Sequence, residues 1–441
     1  MTAGGLPQPL PDWMTAAPVG RLFAALAAGG AEVRFVGGCV RDALLGLEPA
    51  DIDLATPEPP ETVMRRLAAA KLKAIPTGIE HGTVTAVVPP LVAQITTLRR
   101  DVATDGRHAE VAFAADGSEA SWAADAVRRD FTVNALSAGP DGRLHDYTEG
   151  RADLAAGRIR FIGVPEQRVA EDYLRVLRFF RFHGRFARGT PDPASLAACR
   201  AATGELHRLS GERIRDELLK ILALPNASEV LALMQDSGVL PVLLPGAGFD
   251  AARFMRLLTL QAQIAAAGGI EPEVWPRLAL LLPAGQADAV ADRLKLSNAQ
   301  RLRLQGLLEP LPLDWAAVGD DEAFGLALYR HGAERCRDHV LLAALADPAR
   351  DALAAQRLAM AASWRRPVFP LRGADVLALG LSPSPTISLL LRDIETWWAA
   401  AGFRPDREAC LLHLRGLVRD GNEAEAGALA DPAAEGRQKR S

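Results

Sequence analysis

The sequence predicts an α+β protein, with a mixed-sheet head at the N-terminus followed by an all-α neck, body and tail. The first reason is that short apolar runs rich in β-branched residues alternate with helical segments between residues 31 and 150. The second is that the hydrophobic spacing becomes helical after Arg158–Ile162 and stays so towards the end, with Pro and Gly clusters between segments.

Individual elements follow from the same patterns. The head is predicted to contain strands at Val33–Val36, Ile52–Ala55, Thr83–Val88, Ala93–Leu98 and Glu110–Phe113, and helices at Pro60–Ala70 and Ala120–Ala135. Beyond the head, the clearer helices are Glu166–Phe186, Ser210–Leu222, Ala227–Ser237, Gln286–Leu294, Asp321–Leu345 and Ile387–Ala401.

Domain boundaries are placed where these patterns change. The chain has 441 residues, enough for about two to four domains. We expect an N-terminal extension (1–30), a head (31–150), a helical neck (151–225), a helical body (226–350) and a helical tail (351–430). The last residues, 431–441, are rich in Ala, Glu, Arg and Lys and are predicted to be disordered.

Composition excludes several protein classes. No run of eighteen apolar residues occurs, so no membrane span is expected. The first residues lack the cationic flank and the apolar segment of a signal peptide, so no secretory signal is expected. The cysteines are far apart, which argues against zinc sites and disulfides and predicts reduced thiols. A cytoplasmic location is therefore expected.

Charge is distributed unevenly along the chain. The net charge of −4 does not suggest a nucleic-acid-binding protein. The segment from Arg151 to Arg188, however, contains nine arginines, no lysines and four acidic residues, which gives it a local charge of +5. This segment is the best candidate for phosphate contact, and a solvated helix face is the alternative.

The segment Phe35–Asp42 contains a first candidate site. Gly37 and Gly38 follow an apolar strand, and glycines allow backbone N–H groups to approach a phosphate closely. Arg41, one turn later, adds a planar guanidinium suited to phosphate oxygens. Nearby, Asp51 and Asp53 place two carboxylates on one side of a strand, an arrangement that can hold Mg²⁺.

A second motif is Glu171–Arg181. On a helix, its residues Asp172, Arg175, Arg178 and Arg181 form one sloping polar stripe. A carboxylate only accepts hydrogen bonds, and a guanidinium only donates them. Such a pair matches a base that offers an amino group beside a ring-nitrogen acceptor, as cytosine and adenine do, while uracil and guanine reverse the order. The alternative is a set of salt bridges on an exposed helix.

Together with Arg128–Ala135, these motifs resemble, in order and spacing, the class II tRNA nucleotidyltransferase and bacterial poly(A) polymerase family of the polymerase-β-type superfamily. The resemblance is strong from about Phe35 to Phe186 and weaker beyond it. Near the C-terminus, Phe369–Gly380 and Ile387–Trp398 resemble the family's tRNA-contacting tail motif.

The resemblance implies a template-independent enzyme that builds or repairs the CCA end of tRNA from CTP and ATP. It implies that Asp51 and Asp53 are catalytic and bind Mg²⁺. It further implies that nucleotide is held by Gly37, Gly38, Arg41, Arg129, Asp130, Asn134, Asp172, Arg175, Arg178 and Arg181. Within this set, Asp172 and Arg175 match the family's protein template for base choice. The helical body is expected to clamp the acceptor–TΨC arm of tRNA.

The chain departs from the family at Gln94, where class II enzymes usually carry an acidic residue before the Thr96-Thr97 pair. The polar segment Arg99–Asp116 resembles the family's flexible loop, and we expect an exposed loop there. Three alternatives stay open: a poly(A) polymerase, an enzyme that adds only CC or only A, and a catalytically silent RNA-binding relative.

Overall fold

A computed structural model describes residues 4–79, 82–104, 109–113, 116–266, 271–309, 311–381 and 385–429. The chain forms two compact units, one of residues 1–254 with 280–302 and one of residues 255–279 with 303–441. The finer boundaries near residues 150, 225 and 350 stay a prediction. The predicted disordered end, 431–441, lies outside the described residues.

The first unit contains the strands. They are β1 (Arg34–Val36), β2 (Ile52–Thr56), β3 (Lys73–Gly78), β4 (Thr83–Val88), β5 (Leu91–Thr97), β6 (Arg99–Thr104), β7 (Ala109–Phe113), β8 (Ser137–Ala138) and β9 (Leu144–His145). Seven of them form one sheet in the order β3-β4-β5-β2-β1-β8-β9. Because β2 runs parallel to β5 while the other neighbours are antiparallel, the sheet is mixed, as predicted.

The remaining strands correct the prediction for Arg99–Asp116. Instead of an open loop, β6 and β7 pair as a separate antiparallel ribbon, with Arg99 opposite Phe113 and Thr104 opposite Ala109. Residues 105–108, which include the Asp-Gly-Arg-His run, lie outside the described residues.

Helices make up most of the rest. Towards the N-terminus they are α1 (Asp12–Thr15), α2 (Ala17–Ala27), α3 (Gly38–Leu44), α4 (Pro60–Ala69), α5 (Glu119–Val127), α6 (Gly150–Ala156), α7 (Pro165–Glu171), α8 (Leu174–Phe186), α9 (Pro193–Ala201), α10 (Gly211–Leu222), α11 (Ala227–Asp236) and α12 (Val239–Leu243). They continue as α13 (Ala251–Ala266), α14 (Val274–Leu280), α15 (Ala287–Arg293), α16 (Asn298–Leu308), α17 (Trp315–Gly319), α18 (Asp321–His331), α19 (Ala333–Ala344), α20 (Asp351–Ser363), α21 (Gly373–Leu377), α22 (Pro385–Ala400) and α23 (Arg407–Leu429).

Two of the predicted helices are interrupted near the candidate site. The helix predicted over Ala120–Ala135 ends at Val127, because the Asp130 carboxylate accepts hydrogen bonds from the Phe131 N–H and the Asn134 amide instead. The helix predicted over Glu166–Phe186 is broken at Asp172, whose backbone is extended (φ −156°, ψ 108°).

A third predicted helix, Asp321–Leu345, is two helices, since Gly332 between them has φ +83°. Both belong to the second unit, where Val376, Ile394, Trp398 and Leu414 are among the buried residues of an apolar core. In the described part of the chain, no helix is both long and apolar enough to cross a bilayer.

The N-terminal extension is part of the head. Leu22 and Leu26 of α2 are almost completely buried in the same core as Phe35 of β1. The Leu6 N–H donates to the Gly142 carbonyl oxygen at 2.8 Å, which ties the chain's start to the turn before β9. The extension therefore contributes to the stability of the sheet that carries the candidate site.

Substituting Leu22 by alanine tests this role. Leu22 is 0% exposed, so we expect Leu22→Ala to lower the free energy of unfolding by about 2–5 kcal/mol. Arg21→Ala, an exposed change on the same helix, should alter it by less than about 0.5 kcal/mol. Urea denaturation of both variants is the measurement, and equal stability of the two would refute the role.

Candidate active site

One cavity of about 1170 Å³ in the first unit brings the sequence-predicted residues together. Its lining includes all twelve of them: Gly37, Gly38, Arg41, Asp51, Asp53, Arg129, Asp130, Asn134, Asp172, Arg175, Arg178 and Arg181. They come from the turn before α3 and from α3 itself, from the start of β2 and the residue before it, from the segment after α5, and from α8 with the residues before it.

The glycine turn admits a neighbouring arginine. Gly37 has φ +74°, and a Cβ atom there would lie 2.9 Å from Nη1 of Arg129. A side chain at this position would therefore be strained and would also displace the guanidinium. A glycine at position 37 is therefore what allows Arg129 to approach the turn this closely.

The paired carboxylates lie at the start of β2. Asp51 is exposed just before the strand, and Asp53 is half-buried within it. Burial raises the pKa of Asp53, Arg129 lowers it, and Asp51 raises it, with a net upward shift. Among the described residues no group of three or more His, Cys, Asp or Glu side chains could hold a metal ion. Asp51 and Asp53 are thus a pair of carboxylates without a third acidic residue grouped beside them in the described chain.

Gln94 is the direct neighbour of Asp53. The two residues are paired in register across the parallel strands β2 and β5, and Gln94 is exposed. Residues paired across a sheet point to the same face, so an acidic residue at position 94 would add its charge beside Asp53. The structure therefore places the departure from the family pattern next to the paired carboxylates.

Arg129 is held by a carboxylate that sequence reasoning missed. Asp125 of α5 is buried and pairs with Arg128 at 2.7 Å and with Arg129 at 3.1 Å. Burial alone would raise the pKa of Asp125, but the two arginines lower it. The spacing of three and four residues was the available signal in the sequence.

A line of polar contacts connects α3 with α8. Arg178 donates to Asp130 at 2.7 Å, and the Asn134 amide donates to the same carboxylate at 3.2 Å. Arg41 donates to the Asn134 oxygen at 2.6 Å and to Asp42 at 2.9 Å. These contacts fix the orientation of both arginines across the cavity.

Asp172 and Arg175 each have their own partner. Asp172 accepts from Arg213 at 2.7 Å and from the Leu174 N–H at 3.1 Å. Arg175 pairs with Glu171 at 2.6 Å. The predicted single stripe on one helix is corrected here, because Asp172 precedes α8 and its extended backbone carries the carboxylate.

Helix α10 supplies two further partners. Arg213 binds Asp172, and Glu217, one turn later and 4% exposed, pairs with Arg181 at 2.6 Å. Neither was singled out from the sequence, because their partners are distant along the chain. Nine cationic and five acidic side chains line the cavity, so its wall carries an excess of four positive charges.

Comparison with known proteins finds family matches over the head and over part of the helical region that follows it. Residues 33–160 match the family described as "Poly A polymerase head domain", and residues 190–249 match "Probable RNA and SrmB- binding site of polymerase A". The mitochondrial CCA tRNA nucleotidyltransferase 1 of Mus musculus is 33% identical over 387 residues, 87% of this chain and 86% of that protein.

Bacterial proteins are similar as well. A CCA-adding enzyme of Lactobacillus gasseri is 30% identical over 371 residues, covering 83% of this chain and 88% of that protein. The crystal structure of the Bacillus stearothermophilus CCA-adding enzyme with CTP superposes with a TM-score of 0.71 at 27% identity, covering 92% of this chain and 99% of that one.

The mixed-sheet head and its arginine-rich cavity are those of a nucleotidyltransferase. This chain belongs to the class II tRNA nucleotidyltransferase and poly(A) polymerase family.

Proposed function

We propose that this protein adds or repairs the 3′-terminal CCA of tRNA, using CTP and ATP without a nucleic-acid template. The observation that carries the proposal is the single cavity that gathers the paired carboxylates, the glycine turn and the Asp172 and Arg175 side chains. The names of the relatives in mouse and Lactobacillus gasseri support the same reaction.

Asp51 and Asp53 would hold Mg²⁺. Carboxylate oxygens are the ligands that this ion prefers, and Asp53 is a half-buried carboxylate whose pKa is raised by burial. When bound, Mg²⁺ lowers the pKa of the attacking 3′-hydroxyl and neutralises charge on the triphosphate. The two residues therefore fit the ion, and they are the proposed catalytic residues.

The glycine turn and the arginines position the nucleotide. Gly37 and Gly38 allow the backbone close to the phosphates, while Arg41 and Arg129 donate hydrogen bonds to phosphate and sugar oxygens. In-line phosphoryl transfer needs little covalent participation by the protein. Positioning of the reactants and electrostatic stabilisation therefore account for most of the rate acceleration.

Asp130 and Asn134 are proposed to fix the ribose region of the site. Both belong to the line of contacts that joins Arg178 to Arg41, so they also hold these arginines in place. Arg178 and Arg181 extend the donor surface towards the nucleotide.

Base choice is assigned to Asp172 and Arg175. A carboxylate has about four acceptor sites, and Arg213 and the Leu174 N–H occupy two of them, which leaves acceptors for the amino group of cytosine or adenine. Arg175 donates to the adjacent ring nitrogen. Uracil and guanine present the opposite order and are rejected.

The RNA partner is the acceptor–TΨC arm of tRNA, bound by the helical part of the chain through shape and backbone contacts. A cytoplasmic location stays a prediction, and the mouse relative is named as mitochondrial. The predicted neck, body and tail are proposed to divide this binding task.

Incubation with tRNA that ends at the discriminator base tests the function. CTP, ATP or both are added together with Mg²⁺, and the 3′ ends of the product tRNAs are sequenced. Addition of CCA supports the proposal, a run of adenosines indicates a poly(A) polymerase, and CC or A alone indicates a partial enzyme. No addition at all would refute the proposed activity.

Gln94 favours one other candidate, a catalytically silent relative, because it removes an acidic residue beside Asp53. If the enzyme is active, Gln94→Glu should keep its activity and lower the Mg²⁺ concentration needed for half-maximal rate, since a third carboxylate attracts the cation. The measurement is a Mg²⁺ titration of CTP addition. An inactive wild type that Gln94→Glu restores would establish the silent relative instead.

A further inference from the structure

Two phenylalanines of α8 lie among the arginines of the cavity. The rings of Phe182 and Phe186 are stacked, with centroids 5.9 Å apart and planes at 21°. Phe182 is buried and lines the cavity, and Phe186 is half-buried. We call these two residues the aromatic pair.

Arg41 and Arg181 make the closest contacts with the pair. The guanidinium carbon of Arg41 lies 4.1 Å from the ring centroid of Phe186 and 5.3 Å from that of Phe182. The guanidinium carbon of Arg181 lies 4.4 Å from the Phe182 centroid. Both are within the range of about 6 Å in which a ring face attracts a cation.

Arg178 and Arg185 complete the arrangement. Arg178 lies 5.2 Å from the Phe182 centroid, and Arg185 lies 5.0 Å from the Phe186 centroid. Arg41 comes from α3, while the other three arginines come from α8. The aromatic pair is therefore the surface on which arginines of two helices meet.

These arginines repel one another. Burial lowers the pKa of Arg41, the Asp42 carboxylate opposes this, and Arg185 and Arg181 lower the pKa further. Carboxylates already pair with three of these arginines: Asp42 with Arg41, Asp130 with Arg178 and Glu217 with Arg181. A ring face attracts a cation without adding a formal negative charge. The pair thus adds an attraction that draws the guanidinium groups together without cancelling more of their charge.

We propose that the Phe182–Phe186 pair is a positioning device that holds Arg41, Arg178, Arg181 and Arg185 as one phosphate-binding wall. Its aromatic faces, rather than its volume, are what the wall needs. The ligand is a group of phosphate oxygens, which either the triphosphate of the nucleotide or the backbone of the RNA can supply. This identity rests on the proposed function, whereas the arrangement of rings and arginines does not.

Other phenylalanines of α8 have a different environment. Phe179 stacks on Phe161 at 5.9 Å, and Phe180 meets Phe179 edge-on at 5.5 Å. Phe179 and Phe180 are both 0% exposed and belong to the apolar interior. Phe180 therefore provides a matched control, because it has the same helix, the same residue type and a contact with a ring instead of an arginine.

The test compares Phe186→Leu with Phe180→Leu. Dissociation constants are measured by calorimetry for CTP and for ATP without primer, and for tRNA ending at the discriminator base without nucleotide. Losing ring faces beneath partly desolvated arginines should weaken phosphate binding by about three- to tenfold in Phe186→Leu. Phe180→Leu should leave binding within about twofold while lowering the melting temperature at least as much.

Phe186→Tyr separates the ring face from the side-chain volume. It keeps the aromatic face, so its binding should equal that of the wild type. Phe182→Leu, which removes the second face, should weaken binding like Phe186→Leu. Weaker binding of nucleotide alone assigns the wall to the triphosphate, and weaker binding of tRNA alone assigns it to the RNA backbone.

Two results would overturn the proposal: equal binding by Phe186→Leu and Phe180→Leu, or binding by Phe186→Tyr as weak as by Phe186→Leu. Wild-type protein that binds neither CTP nor ATP would instead refute the proposed function. Activity and nucleotide binding in the wild type therefore separate the two failures.

Discussion

Asp53→Ala should abolish nucleotide addition and leave tRNA binding nearly unchanged. The substitution removes one of the two carboxylates proposed to hold Mg²⁺, and metal ions contribute several kcal/mol to phosphoryl transfer, so the rate should fall at least about a hundredfold. Asp51→Ala should have the same effect. The fold should survive, since burial and the neighbouring Asp51 raise the pKa of Asp53 and its charge does not stabilise the native state.

The measurement is single-nucleotide CTP addition in Mg²⁺, together with tRNA binding and thermal unfolding. Glu61→Ala, which removes an exposed carboxylate from α4 of the same head, should behave like the wild type. If Asp51→Ala or Asp53→Ala keeps more than a small fraction of the wild-type turnover, these residues are not the metal ligands.

Asp172→Ala should relax the choice of base. It removes the carboxylate that would accept from the amino group of C or A, and a hydrogen bond to a charged group contributes about 1.5–3 kcal/mol, or roughly ten- to a hundredfold in selectivity. Discrimination against UTP and GTP should fall by this factor. Arg175→Ala removes the donor instead and should weaken the use of CTP and ATP together.

Incorporation of each of the four nucleotides, measured separately, tests whether Asp172 and Arg175 select the base. Asp216→Ala is the matched control, because Asp216 is an exposed carboxylate on α10 whose partner is Arg215 rather than a residue of the cavity wall. Unchanged CTP/UTP and ATP/GTP ratios in Asp172→Ala would mean that Asp172 and Arg213 form a structural ion pair and that the base is chosen elsewhere.

The sequence alone predicted the mixed-sheet head and the helical remainder, and both are confirmed. It also named twelve residues, most of them through the family resemblance, which the structure brings to one cavity, while their roles stay a prediction. The elements themselves were predictable because their causes are local. A glycine turn, two carboxylates on one strand and arginines at helical spacing are set by neighbours in the chain.

Some local predictions failed where side chains compete with the backbone. Asp130 and Asp172 accept hydrogen bonds from nearby main-chain N–H groups, which ends one helix and interrupts another. Hydrophobic spacing does not report this competition. As a result, Asp172 lies before α8 rather than on it.

Tertiary structure alone decided the charge pairs between residues that are distant in the chain. The partners in Arg178–Asp130 are 48 residues apart, those in Arg181–Glu217 are 36 apart, and those in Arg213–Asp172 are 41 apart. It also decided that Phe182 and Phe186 face arginines while Phe180 faces the interior. The identity of a residue follows from the sequence, but its partner depends on which elements pack together, because ion pairs and ring contacts act only over a few ångströms.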